Sequence, residues 1–73
     1  MDKLLSIINT ILENAGNPTL TELKPEMDIR NDLNFDSLNL AELTVRIESE
    51  FNVDIFEDGL VFTIGEILAK LKL

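Results

Sequence analysis

The chain has no cysteine and no histidine. Without cysteine neither a disulfide nor a thiolate metal site can form, and the redox compartment is left open. Without histidine there is no Ser-His relay, and the commonest transition-metal ligand is missing. Apolar runs are short, so no stretch approaches the length of a membrane span. Positive charge is scarce: six Lys and Arg stand against fourteen Asp and Glu, a net charge of −8. From Asp32 to Glu66 nine acids face a single base, Arg46. Nucleic acid and anionic membrane are poor partners for such a surface, and a basic protein surface is a good one; solubility alone accounts for the charge equally well. The opening Met1-Asp2-Lys3, followed by helix-periodic residues with polar breaks, is not a signal peptide, so a cytoplasmic protein is expected.

What is present is a chain of 73 residues, 45% of them hydrophobic, too apolar for a disordered segment. That length makes a single domain over residues 1–73, able to bury only about 60% of its unfolded surface. A core and a catalytic cleft do not both fit, and no catalytic residues are expected.

Leu4, Leu5, Ile8, Ile11, Leu12 and Ala15 recur at three- and four-residue steps, which predicts a helix from Asp2 to Ala15. Gly16 suits the left-handed position past its end, and Asn17-Pro18 keeps the helix from resuming. Residues 17–36 show no sustained period. Leu20, Leu23, Met27, Ile29, Leu33 and Phe35 recur through them, so the stretch is expected to be pinned across the helix ends. Connections of this length are usually functional.

Asp36 and Ser37 are both strong N-cap types, and good helix formers follow to Phe51. On that second helix Leu40, Leu43, Ile47 and Phe51 share one face, the arc of a core stripe. Leu38, Ala41 and Val45 lie on the opposite face. Either the long loop covers this second stripe, or it is an exposed apolar seam, flanked by Glu42 and Glu48, that receives a partner. Asn52 to Phe56 breaks the helix. Thr63-Ile64-Gly65-Glu66 then fits a capping box, and Ile64, Ile67, Leu68 and Leu71 form the apolar face of a last helix.

The Ser37 hydroxyl stands at the start of the second helix, where the dipole favours a phosphate. It is either an ordinary cap or an acceptor for a group delivered by an enzyme. Asp32, Asn34 and Asp36 match the first half of a calcium loop. Ser37 sits where that loop needs its glycine, and Leu43 where it needs a bidentate Glu, so no metal site is expected.

With Asp36-Ser37-Leu38 opening a helix after a long loop that holds Pro25 and Asp32-Leu33, the chain resembles the acyl and peptidyl carrier proteins. The resemblance runs from about Leu4 to Leu71. It implies an all-α fold, a small antiparallel four-helix bundle with a long first loop. The family's third helix would fall on Glu57-Asp58-Gly59-Leu60-Val61-Phe62. That segment is a residue or two short, holds Gly59, and has Phe56 where proline is frequent, so a short or degenerate third helix is expected. The resemblance further implies 4′-phosphopantetheine carried covalently on Ser37, with Asp36 and Leu38 helping to present it. Leu38, Ala41, Glu42, Val45 and Glu48 are the matching positions for partner docking. The implied partners are a phosphopantetheinyl transferase and the loading and transfer enzymes, with basic docking patches, and the carrier itself is a monomer and not an enzyme. Fatty-acyl or polyketide cargo is the first expectation. Asn39, where such carriers often have an acid, and Arg46 count against that expectation, and the alternative is an aminoacyl or peptidyl carrier serving a peptide synthetase or cell-wall alanylation. A third possibility is an unmodified helical interaction module.

Overall fold

The computed structural model describes residues 2–57 and 59–72. Three helices carry the fold: α1 spans Asp2–Asn14, α2 Ser37–Phe51 and α3 Ile64–Leu71. Among the described residues the only β-pairing is an isolated antiparallel bridge between Asp28 and Thr63. No described helix is long and apolar enough to cross a membrane.

α1 buries Leu4, Ile7, Ile8, Ile11 and Leu12. Its stripe is slightly rotated from the expected one: Ile7 joins it, Leu5 is half-buried and Ala15 is exposed. The helix closes at Gly16, whose φ is 78°. There the Gly16 N–H donates to the Glu13 carbonyl at 3.0 Å and the Asn17 N–H to the Leu12 carbonyl at 2.8 Å. This paired closure requires a left-handed residue, which glycine adopts without strain.

α2 forms over the expected span and buries Leu40, Leu43 and Ile47, with Phe51 half-buried. It lies antiparallel to α1, since Lys3 in the first turn of α1 reaches Glu50 in the last turn of α2 at 3.7 Å. Thr63 caps α3 by accepting the Glu66 N–H at 3.2 Å, and Glu66 in turn accepts the Thr63 N–H at 3.2 Å.

The loop between α1 and α2 is held at both ends. Near its start the Asn9 side chain accepts the Leu20 N–H at 2.8 Å and donates to the Leu20 carbonyl at 2.9 Å. Further along, Asp28 accepts the Arg30 and Asn31 N–H groups at 2.9 and 2.8 Å and so folds a tight turn. The loop then pairs with the approach to α3. Ile29 N–H donates to the Phe62 carbonyl at 2.9 Å, Ile64 N–H to Met27 at 3.0 Å, and Gly65 N–H to Pro25 at 2.9 Å. Leu23, Ile29, Leu33 and Phe35 are buried by this arrangement, and Leu20 and Met27 pack partly against them.

No helix forms between α2 and α3 among the described residues. Turns take its place: Phe56 N–H donates to the Asp54 carboxylate at 2.9 Å and Gly59 N–H to the Phe56 carbonyl at 3.2 Å. The physical reason is visible in the side chains. Ile55 and Val61 are both fully buried, and their spacing is not one that a helix returns to the same face. Gly59 has a φ of 134°, outside helical space. Among the described residues the bundle is therefore all-α with three helices, and turns stand where the degenerate third of the expected four falls. Asp58, part of that expected element, lies outside the described residues.

Candidate functional site

The start of α2 settles which of two adjacent cap types does the capping. Asp36 is the N-cap: its carboxylate accepts the Asn39 N–H at 2.9 Å, and the Asn39 side-chain oxygen accepts the Asp36 N–H at 3.1 Å. Ser37 is therefore the first helical residue, exposed, with a hydroxyl that makes no hydrogen bond among the described residues. The Leu40 N–H goes to the Asp36 carbonyl at 3.0 Å and the Asn39 N–H to the cap. The N–H groups of Ser37 and Leu38 remain without a protein partner among the described residues. An anionic group on the Ser37 oxygen would thus stand at the positive helix end with two donors nearby.

Buried residues fix this exposed position from both sides. Phe35, two residues before Ser37, is 3% exposed, and its N–H donates to the Ile29 carbonyl at 3.3 Å. Leu40, three residues after, is 7% exposed. Asn34 takes the left-handed conformation, φ 58°, and turns the chain between loop and helix. The result is an exposed hydroxyl at a helix start between two buried anchors, with no histidine in the chain to activate it.

The second stripe of α2 faces outward. Leu38 is 76% and Val45 67% exposed, Ala41 is exposed between them, and no part of the long loop covers them. The alternative of a covered stripe is thereby set aside. Of the two flanking acids, Glu48 is exposed, whereas Glu42 is half-buried and accepts a hydrogen bond from Arg46 Nε at 2.8 Å. The partial calcium motif is dispersed into local roles: Asp32 accepts the Asp28 N–H at 2.7 Å while Asp36 caps α2. Among the described residues no group of three acids is placed to hold a metal ion.

Several features escaped the sequence reading. Asn39 completes the cap, and an Asp-x-x-Asn spacing before a helix was the available signal. Arg46 neutralises Glu42, as the Glu-x-x-x-Arg spacing on a helix allows. Leu60 and Phe62 are exposed at 67% and 46%, and the Arg30 guanidinium lies 5.5 Å from the centroid of the Phe62 ring. That contact joins residues far apart in the chain and leaves no local mark.

Comparison with known proteins covers nearly the whole chain. The family model for the phosphopantetheine attachment site matches residues 2–70. The chain is 32% identical to an acyl carrier protein of Trieres chinensis, over 97% of this chain and 91% of that one. It is 27% identical to the meromycolate extension acyl carrier protein of Mycobacterium tuberculosis, over 97% of this chain and 64% of that one. It is 26% identical to the protein of the same description in Mycolicibacterium smegmatis, over 97% of this chain and 74% of that one. No solved structure matches the chain.

Proposed function

The chain belongs to the phosphopantetheine attachment-site family, and from that premise we propose that it is an acyl carrier protein whose 4′-phosphopantetheine is attached at Ser37. The relatives named above are acyl carriers, which favours acyl cargo over aminoacyl cargo. The two residues that counted against acyl cargo have local roles here. Asn39 completes the helix cap, and Arg46 is bonded to Glu42.

The residues around Ser37 fit such a group. The observation that carries the assignment is that Asp36 does the capping, which leaves the Ser37 hydroxyl exposed and without a partner among the described residues. The unpaired N–H groups of Ser37 and Leu38 favour a phosphodiester on that oxygen. When bound, the arm supplies the thiol that this cysteine-free chain lacks. The chain's own contribution is placement: Phe35 and Leu40 anchor the site, and α2 presents Leu38, Ala41 and Val45 as an apolar contact strip with Glu48 beside it. The partners are a phosphopantetheinyl transferase and acyl-loading and transfer enzymes. Their contacts are weak, because a carrier must leave each of them quickly.

The test is arm transfer. Incubation with coenzyme A, magnesium and a broad-specificity phosphopantetheinyl transferase is expected to add the mass of one arm, and Ser37→Ala to abolish the gain. An arm found on Ser6 or Ser49, or no gain with several transferases, overturns the assignment.

A further inference from the structure

We propose that the docking strip of α2 is charge-asymmetric and that Arg46 sets which partners fit it. The fitting partner presents an apolar socket with lysine or arginine on the Glu48 side alone. A partner with basic residues on both sides of the socket is disfavoured. The inference rests on the carrier reading and deepens it by naming the chemistry of the partner surface.

The two flanks of the strip differ in the disposition of charge. At about 100° per residue, Val45 and Ala41 fall about 20° and 60° to one side of Leu38, with Glu48 about 80° round on that same side. Glu42, Arg46 and Glu50 fall about 40°, 80° and 120° to the other side, the side of α1. On the α1 side both acids of α2, Glu42 and Glu50, are already matched within the chain. Arg46 Nε donates to Glu42 at 2.8 Å, and Lys3 stands 3.7 Å from Glu50. Glu48 is exposed and has no basic partner among the described residues.

Arg46 is well placed to keep its flank neutral. With the acid N-terminal to the base at four residues, the pair has the favourable helical order. The two side chains are 42% and 33% exposed, so the pair borders the strip without being lost to bulk water. An ammonium approaching Glu42 from a partner would have to share that carboxylate with the guanidinium and would meet a like charge beside it. Complementarity of this kind acts on association and on the rejection of wrong partners. At Glu48 no base among the described residues competes with an incoming cation. A sequence this acidic thus keeps one of its few bases where it converts a two-sided acidic strip into a one-sided one.

The experiment measures arm-transfer KM and kcat against ionic strength, with coenzyme A and a broad-specificity transferase, for Arg46→Gln, Glu42→Gln, Glu48→Gln and Lys24→Gln. Lys24→Gln removes the same positive charge from the long loop, where no docking role is assigned. Arg46→Gln is expected to lower KM by roughly threefold or more at low salt, with the gain fading as salt screens it. Glu48→Gln is expected to raise KM and to flatten its salt dependence, and Lys24→Gln to shift KM by less than Arg46→Gln. A rise in KM for Arg46→Gln, a fall matched by Lys24→Gln, or no effect of Glu48→Gln overturns the asymmetry while leaving Ser37 as the loaded residue. Failure of the unmutated chain to take any arm overturns the carrier reading, and this inference with it.

Discussion

Asp36 and Asn39 hold each other across the first turn of α2, each accepting the backbone N–H of the other at 2.9 and 3.1 Å. Removing the Asp36 carboxylate leaves the Asn39 N–H unsatisfied at a helix start. Asp36→Ala is therefore expected to cost about 0.5–2 kcal/mol in denaturant unfolding. Asn39→Ala, which keeps the bond made by Asp36, is expected to cost less than Asp36→Ala. An equal loss in both variants would mean that the reciprocal bond carries as much as the cap itself.

The two faces of α2 make opposite predictions. Ile47 is fully buried, and Ile47→Ala is expected to cost about 2–5 kcal/mol, a large share of the stability of so small a protein. Val45 is 67% exposed, and Val45→Ala is expected to change stability by less than about 1 kcal/mol. Val45→Ala and Leu38→Ala are nonetheless expected to raise the KM of arm transfer, because each removes an apolar contact from the docked complex. Denaturant melts and transfer kinetics on the same preparations read both halves.

Gly65 sits in the first turn of α3 with little room for a side chain. A Cβ there would lie 3.1 Å from the Pro25 carbonyl oxygen and 3.3 Å from the Pro25 Cβ. The same carbonyl accepts the Gly65 N–H at 2.9 Å, so relief of the crowding strains a bond that ties the loop to α3. Alanine ordinarily gains up to about 1 kcal/mol over glycine in a helix. Here Gly65→Ala is expected to forfeit that gain and to lower the melting temperature. A melting temperature raised by Gly65→Ala would show that the Pro25 segment yields freely.

Salt is expected to stabilise the fold. The net charge of −8 repels itself, whereas the two described ion pairs are surface pairs worth at most about 1 kcal/mol each. Screening therefore relieves more than it removes. The melting temperature is expected to rise between about 10 and 200 mM monovalent salt, with divalent cations acting at lower concentration. A flat or falling curve would count against a repulsion-limited fold.

The helices were legible because their signals are local. Apolar spacing and Gly16 marked α1, the Asp36-Ser37 start marked α2, and Thr63 with Glu66 marked the start of α3. The Leu38-Ala41-Val45 stripe was visible too, though only burial could tell an exposed seam from a covered one. The loop was legible in its anchors and not in its partners. The clamp of Asn9 on Leu20 and the pairing of Ile29 with Phe62 join residues that no short-range rule connects. The choice of Asp36 over Ser37 as cap was equally hidden, since either type satisfies the same rule.

The pairing of the long loop with the approach to α3 also orders events in time. The platform under Ser37 includes Phe35 bonded to Ile29, and Ile29 is bonded in turn to Phe62. The turns inside α2 close on neighbouring residues and can form early, but the bridge must wait for the chain from Ile29 to Phe62 to close. During synthesis the hydroxyl-bearing residue leaves the ribosome well before the segment that completes its support. A nascent chain that ends short of Phe62 thus holds Ser37 on an unfinished footing.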